Sequence, residues 1–261
     1  MKLIFEYGGV ARSVQSIMEF TKEGQSAFWF EPLFHFFPDL DKEAYRLLSE
    51  GEREGYLTRY FEKFEQENKE LILEKIEKYN AHWNVYEGQI VEALQEAFEI
   101  KLENLFHEMR CYMTFNPISP RYLENCSFDV FYLNSEKGAL GNALHEIIHF
   151  VWFYVWQRVF KDSASEYETP HLKWILSEMV VDAIMEDERL ASINPYFQDG
   201  GCVYPYFYTM QIEGVPILET LKGMYQNLPI QEFMKKSYQY CMNHETEIRV
   251  HIEKSERCHA V

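Results

Sequence analysis

The sequence predicts a mostly helical α+β fold in which a small β-sheet precedes a metal-binding helix. Three observations carry this reading. His145-Glu146-Ile147-Ile148-His149 is an H-E-x-x-H motif set in a stretch of helical length. Ahead of it, Arg110–Phe115 (RCYMTF) and Ser127–Leu133 (SFDVFYL) are β-prone, aromatic-rich runs able to pair with each other. Long Glu- and Lys-rich segments with apolar residues at helical spacing fill much of the rest.

Residues 1–40 carry no clear periodicity. Phe28–Phe37 (FWFEPLFHFF) is a dense aromatic patch, expected to be core rather than a groove or partner surface, with His35 a polar group on an apolar face. Asp41–Tyr79 and Asn84–Met109 read as helices. Leu57, Tyr60, Phe61 and Phe64 form an apolar stripe, and residues 65–70 (EQENKE) a solvated face. Gly138 and Gly141 suggest a loop entering a helix over Ala143–Phe160. A second helix is expected over about His171–Leu190, then a Gly- and Pro-containing loop over Ala191–Tyr206. Val215–Tyr225 and Ile230–Glu253 read as terminal helices. No internal repeat or long linker is visible. The expectation is one domain over 1–261, helical over about 1–106, with a metal-binding core over about 107–261.

On a helix, positions i and i+4 share a face, so His145 and His149 can reach one ion. Glu146 projects beside them, placed to take a proton from an attacking water. His145, His149, Trp152, Phe153 and Trp156 follow one helical face, yet Ile147, Phe150, Val151 and Tyr154 make the opposite side apolar too. A helix apolar nearly all round is buried. Two imidazoles and a carboxylate there are costly unless paired or bound to metal. Catalytic zinc needs a third protein ligand. Glu178 lies inside the next helical stretch, with Asp182 one turn on and Trp174, Ile175, Met179 and Ala183 around that face. Glu166, Glu168 and His171 are rival ligands in the connection.

With Glu178-Met179-Val180-Val181-Asp182 following HEIIH, the chain resembles the gluzincins, the thermolysin-like zinc peptidases, over about residues 127–190. The resemblance implies a zincin-like core and one zinc ion held by His145, His149 and Glu178. It implies Glu146 as general base, and Asp182 as the carboxylate that orients a ligating imidazole. It also implies an edge strand that aligns an extended peptide ahead of the metal-binding helix, which Ser127–Leu133 could supply unless it belongs to a small structural hairpin. The gap from His149 to Glu178 exceeds the family's usual spacing, with an apparent insertion around Lys161–Pro170. In that family a Tyr or His beyond the third ligand stabilises the oxyanion. Tyr204, Tyr206, Tyr208, His244 and His251 are available, and Tyr208 or Tyr206 is favoured because a Gly-rich loop precedes them.

The 261 residues suffice for a full core, and a formal net charge of −17 argues against nucleic acid as a partner. No secretory signal or membrane span is read from the sequence. Five scattered cysteines without C-x-x-C look like reduced thiols, and a cytoplasmic protein is expected. The expected partner is a peptide or protein substrate. Two other classes share these residues. One is a non-catalytic metal-binding interaction protein on the same scaffold. The other is a di-iron helical bundle, which needs a second E-x-x-H; Glu168-Thr169-Pro170-His171 has that spacing but contains a helix-breaking proline.

Overall fold

A computed structural model describes residues 1–22, 27–102, 106–162, 164–194 and 201–258. The protein is mostly helical, with mixed α and β content and a small mixed sheet. The chain divides into two compact units, within its two longest helices. Of the described residues, those within 2–85, 106–143 and 256–258 form a sheet unit, and Met1 with those within 86–102 and 144–255 form a helical unit.

In the sheet unit, β1 (Lys2–Tyr7) lies in the stretch without clear periodicity. Its Leu3 and Phe5 point inward while Lys2 is exposed, the alternation of a half-buried strand. β1 pairs in parallel with β2 (Glu108–Thr114), and β2 in parallel with β4 (Ser127–Phe131). The expected pairing of 110–115 with 127–133 is present, with Arg110 opposite Ser127. The strands are parallel, however, so they do not form a hairpin. Pro117, Pro120 and a 3-10 turn at Leu123–Asn125 carry the chain back for the crossover that parallel strands require. On the way, β3 (Arg121–Tyr122) pairs antiparallel with β4, giving the order β1-β2-β4-β3. β4 is therefore no free edge at its start. Ser127 and Phe128 pair with β3, and the Asp129 N–H donates to Pro120 O (2.8 Å).

The outer edge of β1 is capped by a side chain. Asn80 accepts from the Phe5 N–H (3.0 Å) and donates to the Phe5 carbonyl (2.7 Å), replacing a neighbouring strand. Asn80 sits on α4 (Glu50–Ala97), one helix of 48 residues where two were expected. Neither Gly nor Pro interrupts 80–83, and Tyr79 and Trp83 are buried. The helix ends at Ala97, well before Met109, which is in β2; Glu99 adopts a left-handed φ of 53° just beyond it. Before α4 come α1 (Gly9–Phe20), α2 (Ala27–Phe36) and α3 (Lys42–Leu47). Phe37 belongs to the aromatic core, edge-on to Phe61 at 5.0 Å, while Phe61 stacks on Phe115 at 5.0 Å. His35 is exposed.

Beneath α1, the Arg12 Nε donates to the fully buried Asp129 (2.8 Å), and the guanidinium lies 3.8 Å from the Tyr112 ring centre. Burial pushes the Asp129 carboxyl up to about 6, against the opposing pull of Arg12. Because the folded pKa exceeds the unfolded one, this group's contribution is complete below about pH 4 and is lost as pH rises through about 6. Stability relative to Asp129→Asn is expected to fall over that window by on the order of 2–3 kcal/mol. Urea melts of both proteins at several pH values test this, and parallel curves would refute it.

In the helical unit, α5 (Glu136–Phe160) contributes its part from Leu144 onward. The helix starts about two turns earlier than expected, because the Ser135 hydroxyl accepts from the Gly138 N–H (3.1 Å) as an N-cap. Gly138 and Gly141 are thus helical rather than a loop. α6 (Leu172–Met185) is buried at every residue. It is followed by α7 (Glu188–Ala191), α8 (Pro205–Thr209) and a two-stranded turn, β5 (Gln211–Ile212) with β6 (Val215–Pro216). α9 (Ile217–Asn227) and α10 (Ile230–Asn243) pack on α6, and α11 (Glu245–Cys258) ends the described chain. Pro195 and Gly200, from the expected 191–206 loop, lie outside the described residues. Among those described, no helix is long and apolar enough to cross a membrane, and Cys111, Cys126, Cys202 and Cys241 are free thiols.

Candidate metal centre

α5 presents His145 and His149 on one face, with ring centres 4.8 Å apart. Their Nε2 atoms converge to 3.0 Å. The Glu178 carboxylate on α6 completes a triangle, with Oε2 3.5 Å from His145 Nε2 and Oε1 3.4 Å from His149 Nε2. A tetrahedral zinc with bonds of about 2.0–2.1 Å sets its donor atoms roughly 3.3 Å apart. The two imidazole nitrogens lie near that spacing, and each faces a different oxygen of the Glu178 carboxylate at a similar distance. The donor set, two imidazoles and one carboxylate, is one that zinc accepts. His149 and Glu178 are almost wholly buried, whereas the His145 side chain keeps 16% of its surface. Approach to the triangle is therefore from the His145 side.

Glu146 is buried beside the triangle, its Oε1 4.0 Å from His145 Nε2. Of the alternative third ligands, Glu166 is committed elsewhere, pairing with Lys173 Nζ at 2.7 Å. His171 is the N-cap position just ahead of α6. Among the described residues, His145, His149 and Glu178 form the one group whose ligand atoms all lie within 4.8 Å of one another. A second cluster, which a di-iron centre needs, is not among them.

The long connection between the two ligand helices is anchored at one carboxylate. Asp162 accepts from Trp156 Nε1 on α5 (3.0 Å), the Tyr167 hydroxyl (2.7 Å) and Lys173 Nζ on α6 (2.6 Å). Burial alone would raise its pKa, but these three donors hold it below the usual carboxylate range. The inserted residues thus tie α5 to α6 at one end, and Glu178 follows Lys173 by five positions. Asp162→Ala is expected to cost about 1–3 kcal/mol by stranding the donors and to weaken metal affinity by misplacing α6. Unchanged affinity alongside the stability loss would separate the tie from the site.

Asp182, one turn after Glu178, is buried. It accepts from the Tyr208 hydroxyl (3.1 Å) and lies 3.5 Å from the Cys202 thiol. The imidazole contact implied for it by the resemblance is not among its hydrogen bonds to described residues. Burial pushes the Asp182 carboxyl up and the Tyr208 bond partly offsets this; burial likewise pushes the Cys202 thiol up. Tyr208 is exposed, and its hydroxyl also accepts from the Cys202 N–H (2.8 Å). Tyr206 is buried and stacks on Tyr204 at 5.3 Å. His251 pairs with the Tyr206 carbonyl (3.0 Å) and His244 with Glu247 (3.1 Å). The contacts of Cys202 were missed in the sequence. A lone cysteine beyond a loop gives no signal of a partner on another helix.

Comparison with protein-family models, with curated proteins and with solved structures gave no match. The functional reading therefore rests on the chemistry of these residues.

Proposed function

We propose that this protein is a zinc-dependent hydrolase, a metallopeptidase of gluzincin type with a peptide or protein substrate. The observation that carries the reading is the His145, His149 and Glu178 triangle with Glu146 beside it. When bound there, one zinc ion would polarise the scissile carbonyl and acidify the attacking water. Glu146 would accept the water proton and deliver it to the leaving nitrogen. Asp182 would brace the ligand helix from one turn beyond Glu178. Tyr208 remains the candidate donor to the oxyanion, a role in which its hydroxyl must exchange Asp182 for substrate. Tyr208→Phe is then expected to lower turnover about 10²-fold at unchanged zinc occupancy. A fall in occupancy would instead make Tyr208 a positioning group acting through Asp182.

One observation favours the second reading, a non-catalytic metal-binding interaction protein. Glu146, His149 and Glu178 are all nearly buried, as in closed structural zinc sites. Metal content of untagged protein, measured by plasma mass spectrometry beside His145→Ala, tests both readings. About one zinc per chain, lost in the variant, is expected. Absence of metal, with no uptake on adding zinc, sinks both. A peptide-library screen of the loaded protein then separates hydrolase from binder.

A further inference from the structure

Within the sheet unit, α1 and the first three turns of α4 border a groove of about 870 Å³. Its floor carries Val10, Val14 and Met18 from α1, and small residues, Ala11 and Gly51, keep it open. Its borders carry Glu19, Glu50, Glu54 and Glu62 against one cation, Lys22. Further along α4, two glutamates pair with lysines one turn away, Glu67 with Lys63 and Glu74 with Lys78. Glu50, Glu54 and Glu62 have no ion-pair partner among the described residues. A smaller cavity of about 340 Å³ continues the groove past Thr21 and Leu48, sharing Met18, Lys22 and Glu50 and adding Arg53, whose guanidinium donates to the Tyr45 and Arg46 carbonyls.

The geometry points to a docking groove for a basic amphipathic helix of a partner protein. The lining residues of α1 run from Val10 to Glu19, a span of about 14 Å at helical rise, which matches two to three turns of a bound helix. The apolar floor takes that helix's apolar stripe, in the helix-in-groove mode. The unneutralised carboxylates select Lys and Arg on its flanks and repel an acidic helix. This inference is independent of the metal reading.

The test uses the full chain and fluorescent peptides of about 14 residues, four helical turns, built from Leu and Lys or from Leu and Glu. Binding followed by anisotropy is expected for the Lys peptide alone, weakening as salt rises. Glu54→Lys with Glu62→Lys should weaken it about tenfold or more. So should Gly51→Leu, where an added Cβ meets nothing within 4 Å, so the larger side chain is accommodated at the groove's lining. Glu70→Lys with Glu77→Lys, an equal charge change on exposed α4 positions outside the groove, should leave binding intact. Equal losses in both charge pairs would reduce the effect to diffuse attraction toward an acidic chain and overturn the proposal. Binding insensitive to Gly51→Leu would overturn it as well. Self-association in sedimentation, abolished by Gly51→Leu, would replace the partner helix with a second copy of this chain.

Discussion

Glu146→Gln is expected to lower peptide hydrolysis by about 10²–10⁴-fold while the protein keeps one zinc per chain. The substitution preserves shape and hydrogen-bonding reach but removes the group that takes the water proton. Glu146 lies 4.0 Å from His145 Nε2 without being a member of the ligand triangle, so its loss should spare metal occupancy. A structural zinc site makes no demand on this residue. The variant therefore discriminates the hydrolase from the metal-binding interaction protein, provided a substrate has been found for the wild type. Undiminished turnover would remove Glu146 from the mechanism. Loss of zinc together with activity would make it a part of the metal shell rather than a base.

How far the sequence foretold this arrangement depended on the range of each signal. The i, i+4 spacing of His145 and His149 is local, and the helix that carries it forms as read. Glu178 was a weaker inference, because one more carboxylate on a Glu-rich chain is not distinctive. What selected it was an apolar surround, Trp174, Ile175 and Met179, and all of α6 is buried. The insertion around Lys161–Pro170 cast doubt on Glu178 in sequence, since a gap length says nothing of how a loop is pinned. Asp162, with donors from both flanking helices, supplies the pin. β1 was missed because a short strand before a helix has no periodicity long enough to register, and its partner β2 lies about a hundred residues away. The parallel sense of β2 and β4 was equally invisible, since a short connection between two strands suggests a hairpin. The start of α5 was legible after all. Ser135 ahead of Glu136 is an N-cap signal that two glycines obscured.

The largest effect on stability is expected from His149→Ala. The ring is fully buried and is one of two imidazoles that face Glu178. Removing it leaves a void in the core and takes away a group that compensates a buried carboxylate, a combination on the order of 3–5 kcal/mol. It also removes a ligand, so zinc should no longer stabilise the fold. In the wild type, free zinc at about a thousandfold excess over its Kd should add about 4 kcal/mol. That increment should vanish with chelator and return on readdition. His145→Ala makes the needed contrast. Its side chain is partly exposed, so it should lose the same zinc-dependent increment with a smaller loss in the metal-free protein. Thermal melts of the three proteins, each with zinc and with chelator, separate packing from ligation. If zinc fails to shift the wild-type melting temperature, the triangle is a hydrogen-bonded core cluster and not a metal centre. If zinc shifts the wild type and neither variant, two imidazoles one helical turn apart are acting on a single ion.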